Sequence, residues 1–147
     1  KAGVELFTEQ EQNGYLIFQA HCSACHKEPL FTTGEFANNG LSPDSLLRDG
    51  GRIRITHDPA DSLKFKIPTL RNVEFSFPYM HDGRFKRLRE VIDHYTGGIM
   101  PSPTLAPELR HPIMLSPDQR TDLLAFLLTL SDRDFVLDPE HAAPRNF

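Results

Sequence analysis

Two thiols three positions apart, with an imidazole directly after the second, stand in the run Ala20-His21-Cys22-Ser23-Ala24-Cys25-His26. Three such side chains within one helical turn suit a single flat cofactor: both thiols form thioethers to one porphyrin edge, and the imidazole swings beneath the iron. A half zinc site would want a second ligand pair at matching spacing, and the sequence holds only these two cysteines. A redox dithiol of the thioredoxin type would want a βαβ context, which the pattern lacks. The residues therefore predict one covalently bound haem c, attached through Cys22 and Cys25, with His26 as an axial ligand to the iron. Thioether attachment takes place outside the cytoplasm, which predicts an exported, periplasmic protein. A protein ligand at the sixth position would favour electron transfer, and an open one would favour peroxide chemistry.

Helices must present these residues. Thr8-Glu9-Gln10-Glu11 reads as a capping box that opens a helix to about Ala20, with Tyr15, Leu16, Ile17 and Phe18 supplying an apolar face. Gly14 leaves room for a second helix to cross closely. Between residues 84 and 95, Leu88, Val91, Ile92 and Tyr95 fall at i, i+3, i+4 and i+7, one helical face turned inward until Gly97 and Gly98 stop it. Ser116, Pro117 and Gln119 open a last helix that carries Leu123, Leu124, Phe126, Leu127 and Leu130 inward and packs across the first. From Lys27 to about Arg71, repeated Pro, Gly and Asn signals, Asn38-Asn39-Gly40 among them, predict structured loops. The alternation Arg52-Ile53-Arg54-Ile55-Thr56 predicts a short strand. Residues 131–147 read as a polar extension that drapes over a neighbouring surface or another domain.

The chain has 147 residues, enough for one domain with its own core. Its formal net charge of −4, without a long basic run, argues against nucleic acid as a partner. No stretch approaches the roughly 18 apolar residues of a membrane span. Lys1-Ala2-Gly3-Val4-Glu5 does not open like a signal peptide, which predicts a processed or trimmed start.

The run Phe65-Lys66-Ile67-Pro68-Thr69-Leu70-Arg71-Asn72-Val73, followed by Phe77-Pro78-Tyr79-Met80-His81-Asp82-Gly83, resembles the C-terminal haem domain of the bacterial di-haem cytochrome c peroxidase and MauG family. The resemblance runs from Gly14 to Leu130 and joins four motifs in one order: C-x-x-C-H, P-T-L-R-N, P-Y-x-H-D-G and a closing L-x-A-F-L helix. It implies a mainly α, cytochrome c-like helical domain with long loops around the haem, over residues 1–130, followed by the extension at 131–147. It also implies a partner: an N-terminal domain whose haem reacts with hydrogen peroxide. A small periplasmic electron donor protein would feed the haem bound here, and a homodimer is left open.

The family's sixth ligand is Met in the peroxidases and Tyr in the MauG-like proteins, at a fixed spacing after P-Y-x-H-D-G. Counting from His81 without gaps lands on Tyr95. Its bland alternative is a core aromatic with a hydrogen-bonded hydroxyl. Met100, beyond the double glycine, is the rival ligand, and Met80 and Met114 are weaker ones. Arg71 resembles the family's Arg that pairs with a haem propionate, with a surface ion pair as the alternative. The family also places a calcium ion between its two domains, and the resemblance implies that backbone carbonyls of Ser76 and Pro78 would contribute to it, with the other ligands in the N-terminal domain. His81 reads either as a group near the haem edge or as a structural residue of its turn. Arg84, Lys86, Arg87 and Arg89 form a basic patch, which reads more simply as a solvated helix face. The leading expectation is an electron-relay domain of a di-haem peroxidase-like protein; a MauG-like oxidative-modification protein and a stand-alone mono-haem carrier are the alternatives.

Overall fold

A computed structural model describes residues 6–142; residues 1–5 and 143–147, which include the predicted interior start and the end of the extension, lie outside this range. Helix α1 spans Glu9–His21, and Thr8 caps it as its sequence predicts: the Glu11 amide donates to the Thr8 hydroxyl, and Glu11 accepts from the Thr8 amide. Helix α4 spans Pro117–Thr129 and repeats the device with Ser116 and Gln119. Each box satisfies amides that a helix start leaves open.

The two capped helices cross where Gly14 faces α4, and Phe18 (0% exposed) and Phe126 (1% exposed) meet with ring centroids 5.1 Å apart. Val73, Leu88, Ile92, Leu123 and Leu127 close the core around them. Truncating either Phe to alanine would cost about 3–5 kcal/mol by the usual behaviour of buried aromatics.

Helix α3 is shorter than its periodicity predicts, Leu88–Asp93, because residues 84–87 are used otherwise. The Lys86 and Arg87 amides donate to the Glu90 carboxylate, which closes the helix start from within. Tyr79 and Phe85 pair across a tight turn, with Gly83 at φ +69° where a side chain would strain. The double glycine ends α3 through a single π-helical turn over His94–Gly98, which still carries Tyr95 inward.

The expected strand at 52–56 is a helical turn instead, α2 over Ile53–Thr56, closed by His57 in the left-handed region. Its alternation is not a burial pattern: Ile55 is exposed, and Arg52 pairs with Asp61 and lies over the Phe36 ring. The described strands are β1, Phe36–Ala37, and β2, Phe65–Lys66, paired antiparallel with Phe36 opposite Lys66. Part of the extension folds as α5, Arg133–Leu137, and returns onto its own chain. The Asp132 amide donates to Asn72 Oδ1 at 2.6 Å, and Arg133 pairs with Glu74 at 2.7 Å. Among the described residues no helix is long and apolar enough to cross a membrane.

Candidate functional site

The C-x-x-C-H segment continues α1 by one turn. The Cys22 amide donates to the Phe18 carbonyl at 2.8 Å, and the Cys25 and His26 amides donate to the Cys22 carbonyl at 3.2 and 2.9 Å. This turn puts both thiols, each half-buried and reduced, next to the imidazole. Burial pushes the Cys22 thiol up to about 12, with Cys25 beside it adding to the effect. Burial also raises Cys25, helped by the carboxylates of Glu108 and Glu35.

His26 is oriented by backbone. Its Nδ1 lies 3.1 Å from the Pro68 carbonyl and 3.2 Å from the Phe31 carbonyl. Carbonyls only accept, so Nδ1 carries the proton and the Nε2 lone pair is left free, the form in which imidazole binds a metal. Burial lowers the His26 pKa, although both carbonyl bonds oppose this. The P-T-L-R-N segment reaches His26 because it is zipped to the loop after the motif. The Thr32 hydroxyl donates to the Ile67 carbonyl, the Thr69 hydroxyl to the Leu30 carbonyl, and the Leu70 amide to the Phe31 carbonyl.

Tyr95 faces this turn. Burial pushes its phenol up to about 12; the Asn39 side chain opposes the rise, and Cys22 and Cys25 add to it. Tyr95 as a residue is half-buried, and the charges that Cys22 and Cys25 could carry reach its phenol. The rival Met100 is 51% exposed and tied to Gly40 through its own amide, at 2.8 Å. Met114 is 79% exposed. Met80 is half-buried, at φ 70°, and its sulfur accepts from Asn39 Nδ2 at 3.4 Å.

Arg71 is exposed, and its guanidinium makes no ion pair among the described residues. His81 stacks on Phe65 with centroids 3.7 Å apart and planes 10° from parallel. Arg84 leaves the expected basic patch. Its Nε donates to Asp82 at 2.7 Å and its two terminal nitrogens donate to the hydroxyl and carbonyl of Ser42, so it locks the turn to the loop before β2. Burial alone would raise the Asp82 carboxyl, but the hydrogen bonds and charge of Arg84 outweigh it and hold the carboxyl below its usual range. Ser76 and Pro78 are exposed, and the described residues contain no cluster of three metal-ligating side chains.

The sequence reading passed over Asn38, Asn39 and His94. Asn38 is buried, donates to Ser102 and Thr104, and accepts from the Gly40 amide. His94, also buried, donates from Nε2 to the Asn39 carbonyl at 3.0 Å. The Asn-Asn-Gly run signals a turn, and only its tertiary partners reveal that it lines the site.

The two thiols on one helical turn and the oriented His26 Nε2 beside them fit a haem c. A family model described as Cytochrome c matches residues 11–131. Methylamine utilization protein MauG of Methylorubrum extorquens is 37% identical over 123 residues, 81% of this chain and 34% of that protein. Cytochrome-c peroxidase IdrP2 of Denitromonas iodatirespirans is 34% identical over 152 residues, 84% of this chain and 40% of that one. The chain spans less than half the length of these curated relatives. Among solved structures, a MauG-like protein associated with microbial copper homeostasis superposes with a TM-score of 0.78 at 32% identity, over 96% of this chain and 52% of that chain. The diheme peroxidase BthA from Burkholderia thailandensis, at TM-score 0.68 and 22% identity over 96% of this chain and 48% of its own, shares the fold. The helical turn that carries Cys22, Cys25 and His26 therefore sits in a known frame, and the chain belongs to the cytochrome c family, in the group that holds MauG and the cytochrome-c peroxidases.

Proposed function

We propose that this chain is a periplasmic electron-relay domain that holds one haem c through Cys22 and Cys25, with His26 Nε2 and the Tyr95 oxygen as axial ligands. The observation that carries this reading is the His26 imidazole, held by the Pro68 and Phe31 carbonyls with Nε2 free, on the turn of the two thiols, with Tyr95 half-buried while Met100 and Met114 are exposed. Bound haem supplies a reversible one-electron centre whose potential follows its axial ligands.

The chain's own residues determine the rest. Cys22 and Cys25 would hold the edge of the group through two thioethers, and the Pro68 and Phe31 carbonyls hold the His26 imidazole in place to bind its iron. An oxygen ligand from Tyr95 would leave a bound haem no free site for peroxide, which suits a domain that passes electrons onward. The receiving group is a second haem in a peroxide-reacting domain, and a small periplasmic protein supplies the electrons. Arg71, without a carboxylate partner among the described residues, would be available to a propionate. Calcium on the Ser76 and Pro78 carbonyls would need ligands from that second domain. Residues 1–130 form the haem domain in this reading, with 131–147 as an extension.

Tyrosine ligation favours the MauG-like branch, in which the haem pair oxidises a partner protein. A methionine-ligated peroxidase relay is the second reading, and the position of the Met80 sulfur beside Asn39 is what favours it.

Rapid mixing tests the relay. The reduced, haem-loaded chain should oxidise slowly with hydrogen peroxide and show no turnover alone, and should oxidise quickly once a peroxide-reacting haem domain is supplied. Sustained peroxide turnover by the chain alone would overturn the proposal.

A further inference from the structure

The two carbonyls that hold His26 Nδ1 stand on segments far apart in sequence, and the residues beside them join those segments. Leu30 and Thr32 flank Phe31, and Ile67 and Thr69 flank Pro68. The Thr32 hydroxyl donates to the Ile67 carbonyl at 2.7 Å, and the Thr69 hydroxyl donates back to the Leu30 carbonyl at 2.6 Å. Side chains must make this link: Pro68 has no N–H to offer, and the Phe31 and Pro68 carbonyls are given to the imidazole. The Thr33 amide ties the clasp to the C-x-x-C-H turn through the Cys25 carbonyl at 3.1 Å. Phe31 itself stands at φ +52°, in the left-handed region, where a bulky residue stays only if its surroundings hold it there. One N–H shared between two carbonyls keeps both only while neither can turn away to water.

We propose that Thr32 and Thr69 are positioning residues for the axial imidazole: their hydroxyls hold the Phe31 and Pro68 carbonyls on His26 Nδ1, which strengthens Nε2 as a donor and lowers the potential of the haem. This rests on the reading of His26 as the iron's ligand. A carbonyl that accepts from the far nitrogen of a ligating imidazole makes the ring more basic, and a more basic ring favours ferric over ferrous iron. Thr32 carries the greater share. Its bond is partly buried and ends on buried Ile67, whereas the Thr69 bond is open to solvent, where water competes.

The test compares valine and serine at both positions in the haem-loaded protein, by midpoint potential and by solvent exchange of the His26 Nδ1 proton in nuclear magnetic resonance, with far-ultraviolet circular dichroism as the folding control. Thr32→Val replaces the hydroxyl with a methyl of similar size; the Gly34 amide, which donates to that hydroxyl at 3.0 Å, is exposed and turns to water. Thr32→Ser keeps the hydroxyl. Expected are a more positive potential and about fivefold faster exchange in Thr32→Val, the factor that goes with the net worth of one hydrogen bond. Thr69→Val should show a smaller change of the same sign, and both serine variants should keep native values. Thr69→Val, at an exposed position, carries the comparison if Thr32→Val does not fold. Valine variants that keep the native potential and exchange, even with a lowered thermal midpoint, would make the clasp a structural link only and overturn the inference, while His26 stands as the ligand. His26→Ala separates the two: an unchanged low-spin spectrum in that variant removes the ligand reading, and the inference with it.

Discussion

Replacing His26 with alanine is expected to leave haem bound to the protein but to strip the iron of its oriented ligand. Cys22 and Cys25 both remain, so the thioether bonds form and the pigment survives denaturation. The Pro68 and Phe31 carbonyls, which hold Nδ1 at 3.1 and 3.2 Å, lose their imidazole donor. Removing a group that merely orients a ligand typically weakens a metal site by 10–100-fold, so loss of the ligand itself should slow electron transfer on the order of 100-fold or more. The optical spectrum should change from low-spin to high-spin, and the reduced form should bind carbon monoxide. An unchanged low-spin spectrum would place the ligand elsewhere than His26.

Gly14→Ala should be the most destabilising small change in the scaffold. A Cβ at this position would lie 1.9 Å from the Asp122 carbonyl oxygen, 2.6 Å from its carbon and 2.8 Å from Phe126 Cβ. The obstacle is the backbone of α4, so no rotamer change relieves it and the two helices must move apart. That movement opens the contact between Phe18 and Phe126, on which the core is centred. Overpacking of a core commonly costs about 1–3 kcal/mol, and a clash with backbone belongs at the upper end or beyond, even after the ~1 kcal/mol that alanine gains over glycine inside a helix. A loss of about 3 kcal/mol would lower the thermal midpoint of a domain this size by roughly 6–12 °C, readable by circular dichroism. A fall below about 2 °C would mean that α1 and α4 do not cross at Gly14.

The elements legible in the sequence are those whose signals are local. Thr8 with Glu11 and Ser116 with Gln119 each hold their own helix start, so the capping pattern alone located α1 and α4. The spacing of the thiols and the imidazole is local in the same way, and the segment does continue α1 by one turn. Signals that depend on distant partners were not legible. Ile53 and Ile55 alternate like a strand, but the Arg52 and Asp61 pair and the left-handed His57 make the segment a helical turn. Arg84 reads as one of four surface cations until Ser42, far away in sequence, takes its guanidinium. Asn38-Asn39-Gly40 reads as a generic turn, since nothing local tells that Ser102, Thr104, Met80 and His94 converge on it. Tyr95 lies between these cases. Its inward direction follows from helical periodicity, whereas the π-helical turn over His94–Gly98 that sets its final placement has no local signal beyond the double glycine.

The most direct test of the account is the optical and near-infrared spectrum of the haem-loaded ferric protein. Ligation by His26 and Tyr95 predicts a phenolate-to-iron charge-transfer band and no thioether-to-iron band. A thioether-to-iron band in the ferric protein would contradict it, identify a methionine as the sixth ligand, and return Tyr95 to the core as a packed aromatic.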